Sequence, residues 1–280
     1  MRVALAAAAL CAALALVTGC GSDVVSLDPV ADAATKTQTA GSARFSLKAT
    51  FTINHDHAQS MAISGDGIVN MATSSARMQL RYELPAEIQA TLPGDMTMEA
   101  IFDGSDGLVV YMKMSLLREL LPPGKEWLKF DLEKFGKAKG IDLREMMQAN
   151  QGDPMQTLQY LRSAGNVEKV GVDLVRRVRT THYRATIDLR KTLEQAPESL
   201  KPSLDKILSM MSDTTYPAEI WLDDDGLLRR FKFTMSYNVP GTGSAETTIE
   251  EELYDFGVDA DISPPPADRV LDGTKFLPRS

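Results

Sequence analysis

Three histidines carry the side chains best suited to metal binding or acid–base catalysis in this sequence of 280 residues. His55 and His57 flank Asp56, and imidazole and carboxylate groups both bind zinc. In an extended strand the two imidazoles would point the same way with no third ligand at hand, so a turn between strands explains this segment better than a metal site. His182 precedes Tyr183 on a predicted strand, where neighbouring side chains point to opposite faces. We therefore expect a structural histidine at the polar face or rim of a sheet.

Other chemical motifs are absent or incomplete. The sequence contains neither a Gly-x-Ser-x-Gly nucleophile elbow nor a Walker A loop, and the Gly-Asp-Gly segment at 65–67 does not extend into a dinucleotide-binding motif. The run Asp223–Asp225 could bind calcium, but the downstream glutamate of a calcium loop is missing and a hairpin turn explains the run better. The sequence therefore indicates neither an enzyme nor a cofactor. An envelope hydrolase, the weakest alternative, would need a Ser or Asp within hydrogen-bonding distance of His182 or His55.

The charge balance limits the class of partner. Thirty basic and 38 acidic residues give a net charge of −8, and no cluster of Lys or Arg could neutralise a row of phosphates. We therefore expect no nucleic-acid partner. Both cysteines, Cys11 and Cys20, lie near the N-terminus, so no disulfide can cross-link the rest of the chain.

The N-terminal segment predicts export and anchoring. Arg2 precedes the uncharged run Ala4–Val17, which as a helix would reach ~21 Å against the ~30 Å hydrocarbon core of a bilayer. Such a run is typical of a signal peptide. The Val-Thr-Gly-Cys sequence that ends at Cys20 resembles the lipobox of bacterial lipoproteins, in which the cysteine thiol is acylated. We expect a signal peptide at 1–19 and a lipidated tether at 20–27, with the protein held at the extracytoplasmic face of the cell membrane.

Alternating apolar and polar residues predict antiparallel strands with one polar face. The clearest run places Phe45, Leu47, Ala49 and Phe51 on one side of a strand. Gly65 and Gly67 are predicted points of β-bulges in the next strand. Similar runs predict strands at 60–70, 77–83, 97–102, 108–114, 126–132, 167–189, 217–222, 227–238 and 245–254.

Helical signals are fewer. Asp28 and Pro29 supply an N-cap and a first helical residue, and further helices are predicted at 141–150, 153–163 and 200–211. About ten strands with a few helices predict an α+β fold, in which one curved antiparallel sheet, a half-barrel, encloses helices and a hydrophobic cavity. The domain is predicted to span 28–262, followed by a proline-rich, loosely held tail at 263–280.

Four stretches carry a family resemblance: KEWLKFDL at 125–132, VGV at 170–172, TTHYRATIDL at 180–189 and PAEIWLDDDGLLRR at 217–230. With the lipobox, they resemble the LppX/LprG-type lipoproteins of actinobacteria, which share a half-barrel shape with the carriers LolA and LolB. The resemblance implies a hydrophobic pocket that binds lipids or lipoglycans by their acyl chains and helps to move them across the envelope. One departure is Arg177, where the family usually has glycine before the Thr-Thr-His-Tyr strand.

A pocket for long acyl chains needs large, adaptable apolar side chains, and methionine is both flexible and polarizable. The predicted partners are a lipid or glycolipid ligand, the membrane and an envelope transporter. The alternative is a scaffolding or signalling module that binds another envelope protein and no lipid. Besides the lipidated Cys20, the residues expected to line the pocket are Leu47, Phe51, Ile101, Val110, Met112, Leu158, Leu161, Leu204, Leu208, Met211, Phe231 and Phe233.

Overall fold

The structure, a computed structural model, describes residues 28–54, 59–91, 94, 96–105, 107–118, 121–138, 167–195, 198, 201–209, 211, 213–239 and 243–273. Twelve strands form one sheet. They are β1 (Ser42–Asn54), β2 (Gln59–Asn70), β3 (Ser75–Glu83), β4 (Thr97–Asp103), β5 (Val109–Met114), β6 (Trp127–Asp131), β7 (Glu168–Val175), β8 (Val178–Asp188), β9 (Thr215–Asp223), β10 (Leu228–Val239), β11 (Gly243–Tyr254) and β12 (Val270–Asp272). The α-helices are α1 (Asp28–Thr39), α2 (Ala86–Gln89), α3 (Leu132–Ala138), α4 (Leu189–Gln195) and α5 (Lys201–Leu208), and 3-10 turns occupy Ser115–Leu117 and Ala267–Arg269.

The sheet consists of two meanders joined side by side. Strands β1 to β6 follow one another in space, and so do β7 to β11. The meanders meet where β1 pairs antiparallel with β11, from Arg44 opposite Tyr254 to Asn54 opposite Ser244. Strand β12 adds to β6 as the one parallel pair among the described strands, and β12 and β7 form the two edges, so the sheet stays open.

The two faces of the sheet differ in polarity because side chains alternate along each strand. On β1, Phe45, Leu47 and Ala49 point to one face, which we call the apolar face, and Arg44 and Lys48 lie on the other, the polar face. Helix α1 covers the β8–β10 end of the apolar face. Its Val30 and Ala33 are buried against a cluster that contains Tyr183, Ala185, Ala218, Ile220 and Leu222.

The segment 258–269, which we call the C-terminal strap, crosses from β1 to the far edge of the sheet. The Ser42 hydroxyl donates to the carbonyl of Val258, and the Asn70 amide donates to that of Ala260 at 3.2 Å. Further along, the strap and β12 cover the polar face of β4 to β6. There Ile101, Tyr111 and Trp127 are buried together, with Ile262 and Val270 packed against them.

The turn between β7 and β8 explains the departure at Arg177. Val175 pairs with Val178, which leaves Arg176 and Arg177 as a two-residue turn with φ angles of 48° and 69°. Positive φ at both positions is the geometry of a type I′ hairpin turn, which glycine or asparagine usually occupies. The left-handed conformation is thus kept with arginine in place of glycine.

The single sheet expected from the alternation is confirmed, with twelve strands in place of about ten, and it is antiparallel except at the β12–β6 pair. Strand β12 escaped prediction because its three residues are too short to display a period. It also corrects the loosely held tail: residues 263–273 belong to the folded domain, since β12 pairs with β6 and the Lys125 ammonium donates to the carbonyl of Asp268 at 2.8 Å. The predicted helices at 141–150 and 153–163 lie outside the described residues.

The bulges expected at Gly65 and Gly67 are also wrong. Strand β2 pairs with β1 and β3 without a register shift. The glycines instead make room for the neighbouring strands. A Cβ atom on Gly67 would lie 2.5 Å from Cζ of Phe45 and 2.6 Å from the backbone oxygen of Arg77. A Cβ atom on Gly65 would clash with the backbone oxygen of Gln79 and lie 2.7 Å from Cδ2 of Leu80, so a larger residue at either position would force the strand backbone to shift.

Candidate functional site: the apolar face of the sheet

Six predicted pocket residues lie on the same face of the sheet. In the central strands, Leu47 and Phe231 occupy opposite sides of Glu251, and Phe51 and Phe233 follow on the same face of their strands. Across β2 to β5 the register runs from Leu47 through Gly65, Leu80, Met98 and Met114, which puts Val110 and Met112 on that face as well. The sequence therefore placed these six side chains on one continuous surface.

This surface is apolar yet incompletely covered. Leu47, Phe51, Val110, Met112, Phe231 and Phe233 are each half-buried and keep part of their area accessible. Monomeric proteins rarely leave contiguous apolar surface accessible without a function for it. The further half-buried residues on this face are Ile63, Met78, Met98, Phe102, Met114, Phe130, Met235 and Ile249.

The other predicted pocket residues are placed differently. Leu204 and Leu208 are half-buried on α5, which packs against α4, and Met211 just beyond is also half-buried. Leu158 and Leu161 lie outside the described residues. Ile101 lies opposite Tyr111 on the polar face and is fully buried beneath the C-terminal strap, so it does not share a surface with Val110 and Met112.

One acidic side chain interrupts the apolar face. The acidic side chain is that of Glu251. Its chain neighbours Glu250 and Glu252 lie on the polar face, where Arg230 contacts both of them. On the apolar face, burial raises the pKa of Glu251 above its ordinary value. Glu251 was not among the predicted pocket residues, although it alternates along one side of the strand with Ala245, Thr247, Ile249 and Leu253.

The polar face holds a cavity of about 1450 Å³ between the central strands and the 115–126 segment. Its lining is rich in charge, as at Lys113 and Glu126, whose ammonium and carboxylate lie 2.6 Å apart. The hydrogen bond from Lys113 is the main reason that the pKa of Glu126 is lowered. Of the predicted pocket residues that the structure describes, the lining of this cavity includes only Leu47, so the hydrophobic cavity stays a prediction.

His182 is held between acidic side chains on the polar face. Its Nε2 lies 2.8 Å from Oε2 of Glu219, and its Nδ1 lies 3.8 Å from Oδ2 of Asp173. Its ring stacks on Trp221. The two carboxylates lie on opposite nitrogens of the ring, and no three His, Cys, Asp or Glu side chains in the described part of the chain are grouped to hold a metal ion. His55, Asp56 and His57 lie outside the described residues.

Comparison with known proteins begins with sequence. No family model matches the chain. A curated relative from Streptomyces griseus, described as an uncharacterized 31.2 kDa protein in the rplA-rplJ intergenic region, is 31% identical over 162 residues. That match covers 55% of this chain and 50% of the relative, so the chain spans about half the length of the curated protein it matches.

Two mycobacterial lipoproteins have similar solved structures. LppX from Mycobacterium tuberculosis matches with a TM-score of 0.48 and 14% identity over 85% of this chain and 97% of its own. LprF from Mycobacterium bovis matches with a TM-score of 0.47 and 13% identity, over 85% of this chain and 96% of its own. LppX is one of the lipoproteins that the sequence resembles. Among the described helices, none is both long and apolar enough to cross a membrane.

Proposed function

We propose that this protein is an envelope lipoprotein that binds acyl chains on the apolar face of its sheet and helps to carry lipids across the cell envelope. The observation that carries the proposal is the accessible apolar surface formed by Leu47, Phe51, Val110, Met112, Phe231 and Phe233. Several methionines on the same face give the surface the side-chain flexibility that varied chains require.

Burial of methylene groups supplies the driving force. Each buried methylene contributes ~0.8 kcal/mol, so ten of them would contribute ~8 kcal/mol before the entropy cost of binding is subtracted. Leu204, Leu208 and Met211 are proposed to cover the chain from the α5 side, together with Leu158 and Leu161. No covalent step is needed, because loading and release follow from apolar burial alone.

Acylation of Cys20 is proposed to hold the domain at the outer surface of the cytoplasmic membrane. Helix α1 begins at Asp28, and the eight residues 20–27 could span at most ~28 Å when extended. The domain would then remain within one bilayer thickness of the lipid surface. Stable anchoring requires two or more acyl chains, and a diacylglycerol supplies both.

The test is native mass spectrometry of the full chain with Cys20→Ser, followed by lipid extraction and titration with a labelled fatty acid. We expect co-purified lipid and saturable binding. Leu47→Asn places a polar isostere on the apolar face and should weaken binding by at least ~10-fold, since a buried leucine contributes about 1.5–3 kcal/mol. Lys48→Gln, the adjacent residue on the polar face, is the matched control and should bind as the parent does. Absence of lipid and of saturable binding would exclude the proposed function.

One observation favours the alternative of a protein-binding module. The edge strand β7 exposes Val170, Val172 and Leu174, at 43%, 52% and 68% of their surface. An edge strand with exposed aliphatic side chains can pair with another chain along its free edge. A protein that carries no lipid, yet loses a co-purified envelope protein upon Leu174→Lys, would favour this alternative.

A further inference from the structure

Glu251 lies at the centre of the apolar face, between the two clusters that form it. Leu47 faces it from β1 and Phe231 faces it from β10. Phe231 packs against the α1 cluster, and Leu47 packs against the cluster of Ala43, Phe45 and Leu253. A carboxyl group therefore occupies the junction where a ligand lying across the sheet would pass.

No side chain among the described residues satisfies this carboxyl group. Within the described part of the chain, neither a hydrogen bond nor an ion pair reaches Glu251, although its neighbours Glu250 and Glu252 both contact Arg230. Arg229, which precedes Arg230 on β10, forms an ion pair with Asp223, in which Nε and Oδ2 lie 2.6 Å apart. Glu251 is half-buried, so a ligand on this face can contact it.

We propose that Glu251 is a specificity-determining residue that hydrogen-bonds a neutral polar group at the head of an acyl-chain ligand, either a glyceride hydroxyl or an undissociated carboxylic acid. The inference rests on the proposed function, since it assumes that acyl chains bind this face. A carboxyl group accepts a hydrogen bond in either protonation state, and both of these ligand groups can donate one.

A neutral partner fits this position better than a charged one. An ion pair on the apolar face would require both charges to leave water, and the attraction between them often fails to compensate. A hydrogen bond between neutral groups has a much smaller desolvation cost. The direction of the pKa shift agrees, because burial favours the protonated form of Glu251.

The experiment compares ligands of equal chain length in competition with a labelled fatty acid, using the full chain with Cys20→Ser. The probes are 1-monooleoylglycerol, oleic acid at acidic pH and 1-octadecene, which has no polar group. We expect the parent to bind one or both polar probes about three- to tenfold more tightly than octadecene. The probe with the larger preference identifies the source of the polar group.

Three variants assign that preference to Glu251. Glu251→Leu should abolish it while octadecene still binds with parental affinity, and Glu251→Gln should retain most of it because an amide also donates and accepts. Glu250→Gln, the neighbour on the polar face, is the matched control and should behave as the parent does. Glu251→Met replaces the leucine variant if that variant fails to fold.

The outcomes separate the two proposals. Equal affinity of the parent for all three probes, or an unchanged preference in Glu251→Leu, would overturn the role of Glu251 and leave acyl-chain binding intact. Failure of every probe to bind the parent would overturn acyl-chain binding itself, and the role of Glu251 with it.

Discussion

Trp221 stacks face to face on His182, with ring centroids 4.2 Å apart and an angle of 6° between the planes. The indole Nε1 donates to Oδ2 of Asp173 at 3.1 Å, and the Arg230 guanidinium lies 5.2 Å from the indole ring. These contacts connect β7, β8, β9 and β10 on the polar face. The stack therefore fastens the edge hairpin to the body of the sheet.

Removal of this indole should destabilise the protein strongly. Trp221 is 6% exposed, and truncation of a buried tryptophan typically costs about 3–5 kcal/mol. Trp221→Leu retains part of the apolar volume, so we expect a loss of about 3 kcal/mol in the free energy of unfolding. Urea denaturation followed by circular dichroism measures it. A loss below about 1 kcal/mol would show that the stack contributes little.

The two arginines of the β7–β8 turn should respond differently to glycine. Both occupy left-handed backbone, which costs an L-residue about 1–2 kcal/mol, so Arg177→Gly should stabilise the protein by about 1 kcal/mol. Arg176 also bonds Glu252 at 2.7 Å and lies 3.8 Å from the ring of Tyr254. Arg176→Gly should therefore be about 1 kcal/mol less stable than Arg177→Gly in urea titrations.

Acidic pH should reduce the difference in stability between Arg176→Gly and Arg177→Gly. Burial alone would raise the pKa of Glu252, but hydrogen bonds from Arg230 and Arg176 outweigh burial and lower it. A carboxylate with a lowered pKa stabilises the fold above its unfolded-state pKa and loses that contribution as the pH falls through its folded-state pKa. The gap between the two glycine variants should thus be full at pH 7 and shrink in acid. A gap that is independent of pH would contradict a role for the Glu252 pair.

The C-terminal strap should be essential to the sheet. Deletion of residues 263–280 removes β12 and exposes Trp127, which is 7% exposed in the intact protein. We expect a red shift of tryptophan emission and a loss of about 3 kcal/mol in the free energy of unfolding, from the apolar area exposed. Deletion of 274–280 keeps every described contact of β12 and is the control. Equal stability of the two truncated proteins would show that β12 and residues 263–269 of the strap are dispensable.

Glu251 should weaken the free protein at neutral pH. Burial raises the folded-state pKa of Glu251 above the ordinary value of 4.5. Its contribution to the free energy of unfolding is therefore most favourable below pH 4.5 and is lost as the pH rises through the folded-state pKa. Glu251→Leu should therefore raise the free energy of unfolding at pH 7 by about 1–3 kcal/mol. At pH 4 the gain should be smaller. Urea titrations at both values measure it, and a larger gain at pH 4 would contradict the assignment.

Local alternation predicted the strands and the apolar face, because the pairs Leu47 with Phe51, Val110 with Met112, and Phe231 with Phe233 each lie two or four residues apart on one strand. It could not predict the burial of Ile101, since the covering residues Ile262 and Val270 are far along the chain. The prediction of a bulge at Gly67 was wrong for a similar reason. The Phe45 ring, which occupies the space that a side chain at position 67 would fill, lies on another strand. The alternation of apolar and polar residues predicts a strand and its two faces. It does not predict which distant segments of the chain pack over each face.

The junction of β1 with β11 has a consequence for how the chain matures. Among the described strands, the two meanders pair directly only through β1 and β11, whose paired residues, such as Phe45 and Leu253, are about two hundred positions apart. Pairing over such separations is slow to form, because a long loop must close first. The N-terminal meander therefore keeps an unpaired β1 edge until residues 243–254 are available to pair with it.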